Sequence, residues 1–150
     1  MVIKLKKATN IISIVLILCY IIFLIIGWKN FPDEIPTHFN AAGVADEFGS
    51  KSALFIEPAA MIGLFLLLAI VECLPRIWNI PFEVTEENAE DVERIIHNMF
   101  GVIKIAIVLI CAYSGFMCIN TGVPSWPIWL MAAFILLTIA FSIYRLFKCR

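Results

Sequence analysis

Four stretches of this chain stay apolar for about 20 residues each, the length a helix needs to cross a hydrocarbon core of roughly 30 Å. They fall at about residues 9–28, 53–74, 99–119 and 126–147. In lipid, every backbone N–H and C=O must find its partner within the protein, so all four are expected to be helices. The expected fold is therefore an all-α integral membrane protein of four transmembrane helices, one polytopic domain over residues 1–150. The chain is 62% hydrophobic and 15% charged, and the apolar excess lies in those runs, which leaves no room for a separate soluble catalytic domain. Net charge is −1 and no basic stripe is present to neutralise phosphates, so no nucleic-acid partner is expected.

The first run begins after Lys4, Lys6 and Lys7, as a secretory signal would. Its apolar core, 11–26, is longer than a usual signal core, and no small-x-small cleavage site follows. Gly27-Trp28-Lys29 reads as an interfacial end, so an uncleaved first span is expected. Basic residues then set the orientation. Nine of them (Lys4, Lys6, Lys7, Arg76, Arg94, Lys104, Arg145, Lys148 and Arg150) fall on one side, and Lys29 and Lys51 on the other. This bias predicts both termini in the cytoplasm and residues 31–51 outside, with Trp28, Trp126 and Trp129 at the outer interface and Tyr144 near the inner one. The expected location is the cell membrane, with the bilayer as the first partner.

Residues 31–51 are the one long polar loop. Pro32 and Pro36 stiffen its start, Gly43 and Gly49 permit positive φ, and Asp33 and Asp46 suit turns. The loop is expected to be shaped rather than floppy. His38 stands alone in it. A metal site with Asp33, Glu34 or Asp46 would need three or four convergent ligands. No His-x-x-x-His spacing occurs, and His97 is predicted on the opposite side of the membrane. The adjacent acids Asp33-Glu34 and Asp46-Glu47 fit turns more simply than an acid/base pair. The five cysteines, Cys19, Cys73, Cys111, Cys118 and Cys149, lack metal-finger spacing and are odd in number, so they read as apolar filler. No nucleophile elbow, phosphate loop or zinc motif appears, and no cofactor is expected.

Three ionisable residues fall inside apolar runs, where an acid or base is a candidate for function. Glu57 precedes Pro58, so either the second helix begins at Pro58 or residues 53–57 dip into the interface. Lys104 sits about six residues inside the third run and is expected to snorkel inward, with a pair to Glu72 as the alternative. Glu72 has a second alternative in Arg76 at i+4. In the linker 75–98, Thr85 is a plausible N-cap, followed by Glu86 and Glu87. Val92, Ile95, Ile96, Met99, Phe100 and Ile103 then share one helical face, which extends the third helix inward from the membrane. Its acids suit packing against this protein's other inner ends or a basic partner rather than anionic headgroups.

Ile35-Pro36-Thr37-His38-Phe39-Asn40, followed by Gly43, Asp46, Gly49, Lys51 and Pro58, resembles the signature of a bacterial membrane family, a domain of unknown function. That domain also forms the N-terminal part of SdpI-type proteins, which confer immunity to a secreted toxic peptide and signal its presence. The resemblance covers about residues 20–65. Asn79-Ile80-Pro81 and the segment from Thr85 are similar to the inner linker of small stand-alone members. The resemblance implies a membrane location and a recognition loop.

The residues expected to carry function are Pro36, His38, Phe39, Asn40, Gly43, Asp46, Gly49 and Lys51. Prolines and glycines would shape the loop, His38 and Asn40 would make polar contacts, and Phe39 would anchor it. The leading reading is a non-enzymatic membrane module that senses, or protects against, an extracellular peptide or binds a membrane protein partner. One rival is metal-assisted chemistry at His38 with Asp46 and Glu57. Another is a small transporter subunit, drawing on Ser13, Glu57, Glu72, Lys104, Ser114, Thr138 and Ser142.

Overall fold

The computed structural model describes residues 2–150, with side chains from Leu5 onward. Helix α1 spans Val2–Gly27, and strands β1 (Glu34–Phe39) and β2 (Ala45–Ser50) follow. A short 3-10 segment, Lys51–Phe55, leads into α2, Ile56–Glu72. A second 3-10 turn, Pro75–Ile77, lies in the linker to α3, Ala89–Ile119, and α4 covers Trp126–Lys148. Four helical segments are long and apolar enough to cross a membrane, which makes this a multi-pass membrane protein.

Helix α3 is the hub and packs against α1, α2 and α4. In its most apolar stretch 39% of residues are buried, against 6% in α4, which packs on α3. The exposed large side chains of α4, such as Trp129, Leu136, Leu137 and Phe141, suit contact with lipid rather than with protein. Ser13 and Ser142 return their hydroxyls to carbonyls one turn back, at Thr9 (2.9 Å) and Thr138 (2.7 Å), which is how a buried hydroxyl is satisfied within a helix.

The expectation of an all-α chain is corrected between α1 and α2, where an antiparallel β-hairpin forms. Its turn has a local cause. Asn40 Oδ1 accepts from the amides of Ala42 (3.0 Å) and Val44 (3.1 Å). The backbone pair of Asn40 and Val44 closes the loop at 2.9 Å. Gly43 adopts φ +76°, a conformation that side chains disfavour. Pro36 lacks the N–H a regular ladder needs, and the register shifts between Pro36 and His38 and again between His38 and Phe39. Polar composition concealed these strands, because they hang over the bundle rather than fill a sheet.

The hairpin sits at one end of the bundle. A Cβ at Gly43 would overlap the Ser125 side chain, so its tip lies against the α3–α4 turn. Its base is sealed by Ile35 and Leu54, 1% and 0% exposed, which join Ile17, Tyr20, Leu24 and Met61 in the main core. A second core at the opposite end gathers Val92, Ile95, Ile96 and Leu146, with Trp78, Ile80 and Phe82 of the linker packed on it.

Boundaries move where local hydrogen bonds compete. The second span starts as a 3-10 turn capped by Ser50, whose hydroxyl accepts from the Ser52 amide at 3.3 Å. The α-helix begins at Ile56, so Pro58 falls in its first turn, where a missing N–H costs nothing. Thr85 is not the N-cap of α3. Asn88 Oδ1 accepts from the Thr85 amide at 2.9 Å and the Ala89 amide bonds the Thr85 carbonyl, closing a separate turn first. Glu86 and Glu87 therefore lie outside the helix, and Glu90 and Asp91 occupy its first turn. The expected extension of α3 on the N-terminal side of its apolar run is present from Ala89.

Candidate functional site

β1 lies over the ends of α2 and α3 and leaves a cleft of about 350 Å³ beneath it. Pro36, Thr37, His38 and Phe39 form one wall, and Ala53, Ile56, Glu57, Ser114 and Cys118 the other. Two residues flagged from the loop and the second span, His38 and Glu57, are thus brought to one cavity. Phe39 also packs on the main core, consistent with an anchor.

His38 is exposed and its Nδ1 pairs with Asp46 at 2.5 Å across the hairpin. The Asp46 carboxylate favours the protonated imidazole and raises the His38 pKa above its usual 6.5. At the hairpin base, Lys51 bonds Asp33 at 2.8 Å and lies 5.3 Å from the centre of the Trp28 ring. This contact holds the Asp33 carboxyl below its usual range, by a hydrogen bond first and charge second. Lys51 therefore joins the hairpin to the end of α1. Trp28 in turn stacks on Phe55 at 5.0 Å.

Asn40 and Gly43 form the turn and do not line the cleft. Gly49 pairs with Ile35, and a Cβ there would press on the Thr37 methyl at 3.0 Å. Of the eight loop residues singled out, Pro36, His38 and Phe39 thus face the cavity. Asp46 orients His38, and the remaining four shape or fasten the hairpin.

The other two intramembrane candidates meet at the far end of the bundle. Lys104 is 1% exposed, and its Nζ donates to Glu72 Oε2 at 2.6 Å and also to Asn10. The expected snorkelling of Lys104 is overturned, because α2 presents a buried carboxylate to it. The Glu72–Arg76 pairing is overturned for the same reason: Glu72 is 1% exposed and turned inward. Its second oxygen meets His97 Nδ1 at 2.9 Å. Trp78 stands edge-on to His97 at 5.6 Å and donates its indole N–H to the Val71 carbonyl at 2.9 Å. His97 and Asn10 were not singled out, although His97 and Lys104 sit seven residues apart and therefore share a helical face. Each charge here has a partner, as a buried charge must.

Among the described residues, no three His, Cys, Asp or Glu side chains are placed to hold a metal ion.

Residues 14–62 match the family model described as Domain of unknown function (DUF1648). The matched segment runs from the middle of α1 through the hairpin to the early turns of α2, so it contains the β1 wall of the cleft and Glu57. A protein of Archaeoglobus fulgidus described as "Uncharacterized protein" is 31% identical over 80 residues, covering 48% of this chain. The match spans 42% of that relative's own length. No solved structure matches the chain.

Proposed function

We propose that this protein is a non-enzymatic binding module of the cell membrane, with both termini in the cytoplasm and the β-hairpin outside, and that the hairpin cleft receives an extracellular peptide. The observation that carries this reading is the cleft itself, a preformed cavity of about 350 Å³ between β1 and the bundle. That volume falls within the range of ligand sites, roughly 300–1,000 Å³, and mixes apolar walls with a few polar groups as such sites do. The basic-residue bias supports the orientation. The resemblance of the loop to the domain shared with peptide-immunity and signalling proteins supports the ligand class. The same arrangement serves protection or sensing, since both begin with capture at the outer face.

Metal-assisted chemistry at His38 with Asp46 and Glu57 has less support, because among the described residues these three do not form a cluster placed to hold a metal ion. The transporter reading has less support too. Ser13, Thr138 and Ser142 bond their own helix backbones, and Lys104 and Glu72 bond each other, so five of its seven polar groups are engaged within the protein.

The test is site-specific photo-crosslinking in cells. A benzophenone residue at Ile56, on the bundle wall of the cleft, is expected to capture an added peptide from a panel of secreted bacterial peptides. Capture should fall at least fivefold in His38→Ala at unchanged membrane level. Equal capture by a chain whose residues 31–50 are replaced with a Gly-Ser linker would overturn the proposal. Orientation is checked by labelling single cysteines at Ser52 and Arg150 with an impermeant maleimide. Labelling at residue 150 but not 52 in intact cells would reverse the assignment.

A further inference from the structure

Among the described residues, two polar atoms at the hairpin end of the bundle are buried without a hydrogen-bond partner: Glu57 Oε2 and the Tyr20 hydroxyl. They belong to different helices and converge at one place on a third. A Cβ at Gly115 would overlap the Tyr20 hydroxyl and lie 3.4 Å from Glu57 Cγ. Gly115 thus makes room for the Tyr20 hydroxyl where α1, α2 and α3 meet. Glu57 lines the cleft under β1, and Ser114, beside Gly115, lines it too.

The cleft wall carries one carboxyl group and no Lys or Arg, and its one imidazole is already paired with Asp46. The nearest lysine in sequence, Lys51, is bound to Asp33. A partly buried carboxyl without a counter-charge either stays protonated or takes a partner that brings both donors and charge. Water would satisfy the lone pairs but not the charge. A metal ion needs several oxygen ligands, and this cleft offers one carboxylate. An ammonium group supplies three donors and one positive charge on a point, and its alkyl stem suits Ile35, Pro36 and Ile56 beside it.

We propose that Glu57, the one carboxyl group lining the cleft, is a subsite for a primary alkylammonium group carried by the bound peptide. This rests on the peptide-binding reading and names the group that the cleft selects. The ammonium comes from a lysine side chain or from the peptide's free N-terminus, and the chemistry at Glu57 is the same for both.

The full chain in neutral detergent, labelled with fluorotyrosine, is titrated with n-hexylammonium and with n-hexanol, and the Tyr20 resonance is followed. The ammonium is expected to shift it saturably and to bind at least tenfold more tightly than the alcohol. Glu57→Gln should fold, since it removes an unpaired, partly buried acid, and should abolish that preference. Nα-acetyl-lysine amide and leucine amide then separate side chain from N-terminus, and whichever binds identifies the source. Equal binding of alcohol and ammonium, or an unchanged preference in Glu57→Gln, overturns the subsite. If hexylammonium binds but neither peptide-derived amine does, the ammonium site stands and the peptide reading falls.

Discussion

Replacing Lys104 with Met isolates what the buried charges contribute to the fold. Both side chains of the Lys104–Glu72 pair are 0% exposed and meet at 2.6 Å. Met has similar length and no charge, so Lys104→Met leaves Glu72 Oε2 and the Asn10 amide oxygen without their donor. Removing one member of a buried pair typically costs about 3–5 kcal/mol, because the other charge is stranded. His97 still reaches the other Glu72 oxygen at 2.9 Å, which argues for the lower end. A loss of about 3 kcal/mol is roughly a hundredfold in the folding equilibrium. Lys104→Met with Glu72→Leu removes the stranded charge and should recover most of that loss, since paired apolar replacements are often neutral. The assay is reversible unfolding in mixed micelles, read as a double-mutant cycle. A loss near 0.6 kcal/mol, the scale of an ordinary interhelical hydrogen bond in membranes, would refute the argument. So would additive single effects. Either result would mean that the pair is a neutral contact rather than two charges.

Asn40→Ala removes the acceptor for two turn amides and should weaken hairpin closure by about 1–2 kcal/mol, seen as faster hydrogen exchange at Ala42 and Val44. Because Asp46 raises the His38 pKa, that pair's contribution to the hairpin is complete below 6.5 and is lost as pH rises through the raised value. Hairpin amide protection should therefore decline on the alkaline side, and His38→Gln should remove the decline. The Asp33–Lys51 contact has the opposite sign: the lowered Asp33 pKa gives stability that is present above 3.8 and disappears as pH falls through the depressed value. Exchange at the Lys51 amide in Asp33→Asn, compared with the parent at low pH, checks it. Gly115→Ala should cost about 1–3 kcal/mol in thermal or detergent unfolding by crowding the Tyr20 hydroxyl, and Tyr20→Phe should recover part of it.

The four membrane helices were legible because lipid imposes one rule on every backbone group, and apolar runs of about 20 residues announce compliance with it. The helical face from Val92 to Ile103 was legible for a similar reason, since its 3.6-residue period needs no partner to be seen. The hairpin was legible only as a shaped loop. Gly43 and Pro36 signalled constraint, but strand pairing across two register shifts leaves no clean alternation to read.

The charged residues divide on the same line. Composition and spacing marked Glu57, Glu72 and Lys104 as unusual, because each interrupts an apolar run and so carries a desolvation cost. Their partners were hidden. Glu72 and His97 lie 25 positions apart, and Lys104 and Asn10 lie 94 apart. Local pattern reports which side chain is out of place in lipid, since that follows from the residue and its neighbours. Whether it is paired, as Lys104 is, or left facing a cleft, as Glu57 is, depends on which helices touch. Only packing around α3 decides that.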